Sequence, residues 1–398
     1  MFQISGLVNF MRLKYFYIII FVLMVIGNTV FAQDQLSAAD YIIQYPQGFQ
    51  YSALNGAGYS LHFHPGVTNI GAMNPASFAA FHNLKVGMAY QYTSSVNSIP
   101  VLNDSKFSLA KYDNWIPQSL GMAFQWSKIH LGIGFQQFYN LNSEMKFPNT
   151  IIYRLENGVT TAIDTVTIIN AKKYLISEFN ISGAVQFKNV FHANDALSVG
   201  ASVILPRIDM FKQLKPYPYK FSDTGYGLRI AVGSIYSARA WLKVGLFYEP
   251  GRNIYHTYSF DSDNDARWKA EYPDQVHFGL SLTPMEKIEL NGNVSYISGN
   301  KLYWGKHFEY SGAIQYRYQP ELSFSMGAFT NHWRTDVSES NFLAIDRPNQ
   351  AVFLTLGARY RVRSFLIDIA IADSHLSEQK FRRQTIVKLG LDYSFTDK

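Results

Sequence analysis

Few residues in this chain have the type and spacing that catalysis or metal binding requires. The sequence contains no cysteine, which excludes disulfides, thiolate metal sites and cysteine nucleophiles. His62 and His64 precede a Pro-Gly turn, but no Asp or Glu lies near them in sequence to complete a metal site. No G-x-S-x-G motif accompanies the Ser, His and Asp residues of the chain. We therefore predict a protein that is not an enzyme, with no metal and no cofactor; an esterase or a protease is the alternative.

A second set of reactive residues consists of charges at alternate positions of segments that are otherwise apolar or small. These six bases and four acids are Lys85, Glu178, Arg229, Lys243, Glu289, Arg317, Arg359, Asp368, Lys388 and Asp392. The excess of bases could bind the carboxylate of a ligand, and we take Arg229, Arg317 and Arg359 as the candidate contacts. Alternatively, these charges pair with one another across neighbouring strands, as buried charges normally do.

The segments that carry these charges alternate in hydrophobicity with a period of two, which indicates β-strands. In the first of them, Leu84, Val86 and Met88 share one face, and Lys85 and Gly87 share the other. Fourteen such segments follow one another along the chain: 84–92, 120–126, 129–136, 179–187, 197–205, 226–232, 242–248, 276–282, 288–296, 310–318, 322–328, 352–360, 365–371 and 387–395.

An even number of alternating segments is typical of a bacterial outer-membrane barrel, which is apolar toward lipid and polar toward its lumen. The second face is rich in Gly, Ala, Ser, Asn and Gln, whereas a soluble β-sandwich would show Lys, Glu, Thr and Asp to water. Aromatic residues such as Trp126, Tyr248 and Tyr360 lie near segment ends, where interface girdles form. We therefore predict an all-β fold, a 14-stranded antiparallel transmembrane β-barrel; the β-sandwich is the alternative.

The connections between the segments alternate between long and short, as they do in transmembrane barrels with outer loops and periplasmic turns. We predict outer loops at 94–117, 136–175, 206–224, 250–273, 298–307, 331–350 and 372–384. Short turns are predicted near 127–128, 188–194, 236–238, 284–287, 319–320 and 361–364. The last segment nearly ends the chain, as expected of a strand that the barrel-assembly machinery reads.

The first 32 residues have the pattern of a signal peptide: no acid, the bases Arg12 and Lys14, an apolar run at 15–26, and Ala32 at the cleavage position. Translation could start at Met1 or at Met11. An N-terminal anchor is the alternative, but the run is shorter than the ~20 residues that a helix needs to cross a bilayer. The 35 bases of the chain are scattered, which argues against a nucleic-acid partner.

Residues 33–83 lie between the signal peptide and the first strand and lack a strand period. Within them, Asn74-Pro75-Ala76 resembles the NPA segment of the long-chain fatty acid transporter (FadL/TodX) family. The stretches 272–280 and 284–296 resemble the strand–turn–strand pattern of that family. This resemblance implies three parts: a signal peptide at 1–32, an N-terminal hatch in the lumen at 33–83, and the transmembrane barrel at 84–398. It also implies that Asn74, Pro75 and Ala76 form the hatch motif.

The same resemblance implies a function, namely an outer-membrane channel that admits hydrophobic compounds such as long-chain fatty acids by passive diffusion. The partners would be outer-membrane lipid, a hydrophobic small-molecule ligand and the barrel-assembly machinery. The alternative is a FadL-like barrel subunit of a protein secretion machinery of the type IX kind, without small-molecule transport and with secretion-system proteins as partners. A simple porin with an open lumen is a third alternative.

Overall fold

A computed structural model describes most of the residues between 63 and 83 and most of residues 84–398. The described residues are 63, 66–70, 73–101, 105–156, 159–216, 219–251, 253–260, 266–271, 274–298, 306–333, 349–377 and 382–395. The predicted signal peptide at 1–32 and the histidines His62 and His64 lie outside the described residues.

Strands make up almost all of the described chain, as the period-two pattern predicts. Two short 3-10 helices, Val67–Asn69 and Pro75–Ala80, precede them. The strand segments are β1 (Lys85–Val101), β2 (Ser105–Trp126), β3 (Ile129–Glu156), β4 (Val159–Lys188), β5 (Ala196–Lys215), β6 (Tyr219–Tyr226), β7 (Arg229–Arg239), β8 (Leu242–Glu249), β9 (Asn253–Phe260), β10 (Ala266–Glu271), β11 (Gln275–Met285), β12 (Ile288–Ile297), β13 (His307–Arg317), β14 (Leu322–Trp333), β15 (Asn349–Val362), β16 (Phe365–Asp373) and β17 (Arg382–Ser394). No helix among the described residues is long and apolar enough to span a membrane.

Seventeen segments form one sheet, and three pairs of segments are single barrel strands with an interruption. β5 pairs with both β6 and β7, so these two continue each other across residues 227–228. β8 and β9 continue each other in the same way because β7 pairs with β8 and β6 pairs with β9. β10 and β11 form the third pair, since they lie against β9 and β8. The sheet therefore has the fourteen strands that the sequence predicts.

The sheet is closed, because its last strand pairs antiparallel with its first. Lys85 lies opposite Ser394, and Asn97 lies opposite Arg382. Every other neighbouring pair is also antiparallel, so a continuous ladder runs around the barrel. The prediction of a closed antiparallel barrel is confirmed.

The side chains of the barrel are distributed in the opposite way to those of a water-soluble protein. Large apolar residues face outward and are exposed, for example Leu120 at 58% and Leu356 at 62%. Their neighbours in sequence face the lumen and are buried although many are polar, for example Ser119 at 5% and Thr355 at 3%. An apolar exterior around a polar interior is the surface of a barrel that lies in lipid. The structure therefore confirms the two faces that the alternation predicts.

The prediction of loops on the long side of the barrel is wrong for four of the connections. Residues 94–101 and 105–117 continue β1 and β2, which pair along this length, and β3 and β4 extend for 28 and 30 residues and pair up to Glu156 and Val159. The stretches 206–224 and 250–273 are likewise mostly strand, in β5, β6, β9 and β10. Outside the membrane both faces of a strand meet water, so the sequence alternation fades while the backbone ladder continues.

The short side of the barrel has tight turns near the predicted positions, except that β7 extends to Arg239 through the predicted turn at 236–238 and the turn lies at 240–241. One connection is longer, at 189–195, and the carboxylate of Asp195 organises it. Asp195 accepts hydrogen bonds from the backbone N–H groups of Val190 (2.6 Å), Phe191 (2.9 Å) and His192 (2.9 Å) and from the hydroxyl of Tyr236 (2.9 Å). The last residue of this turn therefore stabilises the turn by binding the backbone N–H groups at its start.

The outward face gives a testable prediction about stability. Ile314 lies in the middle of β13 and is 48% exposed toward lipid, whereas its neighbour Ala313 faces the lumen and is 6% exposed. Ile314→Arg should lower the free energy of unfolding by about 2–4 kcal/mol, the cost of a base near the bilayer midplane. The measurement is equilibrium urea unfolding in phospholipid vesicles, with Ala313→Ser as the matched lumen variant. Equal stabilities of Ile314→Arg and Ala313→Ser would show that this face does not contact lipid.

Candidate functional site in the lumen

The described residues 66–70 and 73–81, called the lumen segment below, lie against the inner wall of the barrel. The first 3-10 helix packs on β1, β2, β3 and β17, and the second packs on β3, β4, β5 and β7. Val67, Ile70 and Phe78 are each 0% exposed. They form one cluster with the wall residues Ala123 and Ala184. The lumen segment thus has its own small apolar core, which it completes only with the wall.

Asn74 connects this segment to the backbone of two adjacent strands. Its side-chain Oδ1 accepts a hydrogen bond from the N–H of Ala76 at 3.0 Å, which caps the second 3-10 helix at the position before Pro75. Its Nδ2 donates to the carbonyl oxygens of Ser234 in β7 and Leu246 in β8, both at 3.0 Å. Only an amide side chain both accepts at the cap and donates twice to the wall. The structure therefore gives the predicted hatch motif a specific position, at the seam between β7 and β8.

Proline and serine complete the local geometry of this motif. Pro75 occupies the first helical position, where its fixed φ suits a helix start and its missing N–H is not needed. The hydroxyl of Ser77 donates to the carbonyl oxygen of Asn74 at 2.7 Å. Asn74, Ala76 and Ser77 are all buried. The motif residues Asn74, Pro75 and Ala76 thus lie together in one hydrogen-bonded turn.

The wall beneath the lumen segment is built from glycines because no side chain would fit there. We call Gly121, Gly132, Gly134, Gly200 and Gly233 the glycine platform. A Cβ at Gly233 would overlap the Asn74 amide, one at Gly200 would overlap the backbone of Pro75, and one at Gly121 would overlap the carbonyl of Val67. The glycine-rich face that the sequence shows is therefore a docking surface for the lumen segment.

Two further wall side chains bind the backbone of the lumen segment. The Nε2 of Gln136 donates to the carbonyl oxygen of Ile70 at 2.7 Å. The Nδ1 of His130 lies 2.7 Å from the carbonyl oxygen of Phe81, and since a carbonyl only accepts, this nitrogen carries the proton. The segment is thus held at its beginning, middle and end.

The three candidate arginines occupy different environments. Arg229 contacts two carboxylates, that of Glu178 at 2.5 Å and that of Glu249. Arg359 and Asp368 form a bidentate pair with distances of 2.7 and 3.0 Å. Arg317 is exposed at the end of β13, where it donates to the carbonyl oxygen of Glu286 at 3.4 Å. Pairing across strands therefore occurs for two of them, and a ligand contact at any of the three stays a prediction.

Sequence reasoning did not single out a group of polar and aromatic residues on the wall beyond β7. The ring of Phe247 in β8 stacks on that of His277 in β11, with centroids 5.0 Å apart and planes at 22°. The Nδ1 of His277 lies 2.7 Å from the hydroxyl of Ser295 in β12, which also accepts from the Asn293 amide at 3.1 Å. The alternation places each of these residues on the lumen face. Only the strand register brings them together.

A metal centre finds no support in the described part of the chain, where no three residues among His, Cys, Asp and Glu are grouped closely enough to hold an ion. His62 and His64 lie outside that part.

Comparisons with known proteins identify the fold. No protein-family model and no curated protein sequence matches the chain. Among solved structures, the Pseudomonas putida toluene transporter TodX is 14% identical and has a TM-score of 0.59, with 87% of this chain and 99% of that chain covered. A Pseudomonas aeruginosa FadL homologue is 12% identical with a TM-score of 0.59, and the coverages are 88% and 98%. The Ralstonia pickettii toluene transporter TbuX is 12% identical with a TM-score of 0.55, and the coverages are 87% and 98%.

These likenesses extend over most of this chain and nearly the whole of each neighbour. They agree with the resemblance to the FadL/TodX family that the Asn74-Pro75-Ala76 motif and the number of strands indicate. The chain therefore has the fold of the FadL and TodX channels, a closed barrel of fourteen antiparallel strands.

Proposed function

We propose that this chain is a passive channel in the bacterial outer membrane, that it admits hydrophobic small molecules such as long-chain fatty acids, and that residues 33–83 form a hatch in its lumen. Residues 1–32 would direct its export. Outer-membrane lipid surrounds the barrel, and the barrel-assembly machinery recognises its last strand, β17.

The observation that carries this proposal is the lumen segment itself. A barrel of fourteen strands is wide enough to hold more than its own side chains. Here the 3-10 helices Val67–Asn69 and Pro75–Ala80, with Val67, Thr68 and 75–79 buried, occupy part of that interior, an arrangement that suits a closed channel better than an open porin. The names of the fold neighbours, two toluene transporters and a FadL homologue, support a hydrophobic ligand.

The mechanism is diffusion, because the sequence carries no glycine-rich phosphate loop with its lysine. A ligand would enter from the outer side, reach the lumen and pass when the hatch shifts. The contacts that resist this shift include the two wall bonds of Asn74, the bonds from Gln136 and His130, and the apolar packing of the segment on the wall. A shift of the hatch would break these hydrogen bonds and separate Val67, Ile70 and Phe78 from the wall.

Uptake of a labelled hydrophobic compound tests the function directly. Expression of the chain in a bacterial host without its own channel of this kind should raise the initial rate of radiolabelled oleate or toluene uptake several-fold. The rate should increase with the outside concentration and need no added energy source. If neither compound enters faster, and the chain is instead recovered in a complex with secretion proteins, the secretion-subunit alternative replaces this proposal.

Substitutions at Asn74 and at Gly233, the wall residue beneath it, test whether the lumen segment closes the channel. Gly233→Leu should displace Asn74, and Asn74→Ala should remove two wall hydrogen bonds at a cost of about 1–3 kcal/mol. Both variants should make liposomes that contain the protein swell faster in small sugars than the wild type does. Gly292→Leu controls for adding a leucine to a strand, since Gly292 lies on the outward face and a Cβ there meets nothing within 4 Å. Equal swelling with Gly233→Leu and Gly292→Leu would contradict a hatch seated at this position.

Uptake of oleate, a carboxylate, and of toluene, a hydrocarbon, tests whether the arginines contact a ligand carboxylate. If the predicted ligand contact is correct, replacing both Arg229 and Arg359 by Ala should lower oleate uptake at least about fivefold, since a hydrogen bond to a charged group is lost at each position. Toluene has no carboxylate, so its uptake reports any general damage to the barrel. Unchanged oleate uptake, or an equal loss of both uptakes, would show that these arginines serve only the wall.

A further inference from the structure

Exposed bases surround the short side of the barrel. The turns that connect the strands on this side are 127–128, 189–195, 240–241, 286–287, 318–321 and 363–364. Each of them contains an exposed Lys or Arg or has one within two residues of it. We call these bases the basic rim: Lys128, Lys188, Arg239, Lys287, Arg317, Arg361 and Arg363.

Few carboxylates are available to neutralise the basic rim. The exposed acids in these turns are Glu286 and Glu321. A third acid, Asp195, is buried, and its carboxylate accepts hydrogen bonds from three backbone N–H groups and from Tyr236. Within the described part of the chain, no base of the rim forms an ion pair with a carboxylate. The rim therefore carries a positive charge that the protein itself does not neutralise.

The strand register brings several of these bases close together. The backbone N–H of Arg317 donates to the carbonyl oxygen of Lys287 at 2.8 Å, and that of Arg361 donates to the carbonyl oxygen of Glu321 at 2.8 Å. The turns at 286–287, 318–321 and 363–364 are consequently neighbours, and four bases of the rim belong to them. Like charges on adjacent turns repel one another, and an anion among them reverses this repulsion.

Large apolar side chains border the rim on the outside of the barrel. Trp126 precedes the turn that holds Lys128, and Trp241 lies in the turn after Arg239. These two rings are 69% and 51% exposed. Other exposed neighbours of the rim in sequence are Phe187, Met285, Tyr318, Tyr360 and Phe365. Aromatic belts of this kind lie where the headgroups begin, and long basic side chains extend from that level to the phosphates. The belt therefore places the basic rim at the depth of the headgroups.

The distribution of the charge indicates the kind of partner. The bases are spread over all six short turns, an arrangement that suits many small anions around a barrel better than one protein on one face. Short turns of outer-membrane barrels face the periplasm, so the lipids at this level are those of the periplasmic leaflet. A base close to an anionic lipid surface strengthens binding to it, whereas a zwitterionic headgroup has no net charge to offer.

We infer that the basic rim binds the headgroups of anionic phospholipids, such as phosphatidylglycerol, in the periplasmic leaflet. This inference goes beyond the proposed function and does not depend on it, because a channel and a secretion subunit would both lie in the same leaflet. Uptake of oleate or toluene and preference for a lipid headgroup can therefore fail separately.

Two tryptophans of the chain lie beside the rim and can report on the lipids there. A short-side reporter keeps Trp126 and Trp241 and has Phe in place of Trp115, Trp268, Trp304 and Trp333. A long-side reporter keeps only Trp115, which lies about 35 Å along the same strand from Trp126. Each full-length protein is reconstituted in phosphatidylcholine vesicles that contain brominated phosphatidylglycerol or, at equal mole fraction, brominated phosphatidylcholine. Quenching of tryptophan fluorescence then gives the ratio of the two lipid binding constants.

The short-side reporter should favour phosphatidylglycerol about fivefold, the factor that one base near an anionic surface contributes. The long-side reporter should give a ratio near one. In the short-side reporter, Lys128→Gln combined with Lys287→Gln should lower the ratio at least about twofold. The matched control is Lys215→Gln combined with Lys306→Gln, which removes two exposed lysines of the long side and should leave the ratio unchanged.

A ratio near one at the short-side reporter, or an equal ratio at both reporters, overturns the inference. So does a ratio that the rim pair leaves unchanged or that the control pair lowers equally. Heat-dependent migration on gels verifies that each variant is a folded barrel. If the tryptophan variants do not fold, native mass spectrometry of the wild type and the two lysine pairs counts the retained lipids. The wild type and the control pair should then retain more phosphatidylglycerol than the rim pair does, and equal retention overturns the inference.

Discussion

The structure depends on one constraint, that no backbone N–H or C=O group can remain unpaired in lipid. A sheet meets this constraint only when it closes on itself, and the antiparallel pairing of β17 with β1 provides that closure. Once the sheet is closed, side chains alternate between lipid and lumen along every strand. The closed sheet therefore determines that the side chain of Leu356 is exposed on the outside and that of its neighbour Thr355 is buried on the inside.

Closure also creates an interior that must be filled or left to water. The glycine platform shows how the chain fills part of it. Five wall positions without side chains allow the lumen segment to approach the strands so closely that the Asn74 amide reaches two backbone carbonyl oxygens. Glycine on one partner and a short amide on the other thus form a joint that depends on shape and hydrogen bonds. The buried side chains of Val67, Ile70 and Phe78 add apolar packing on the wall to this joint.

The polar lumen is divided by charge. In β7 and β15, Arg229 and Arg359 are neutralised by carboxylates, which lowers the cost of burying them. Phe247, His277, Asn293 and Ser295 form an uncharged polar and aromatic group on β8, β11 and β12. The described lumen wall therefore combines paired charges with an uncharged polar and aromatic group.

The sequence by itself determined the strand number, the two faces and the closed barrel, because a period of two maps directly onto lipid and lumen. It also identified Asn74-Pro75-Ala76 as a motif. It did not predict the length of β3 and β4, since the alternation fades where both faces meet water although the backbone ladder continues. Only the tertiary structure decided that Arg229 pairs with two carboxylates and that His277, Ser295 and Asn293 meet. Such contacts depend on register between strands, and register is a relation between segments that no single segment encodes.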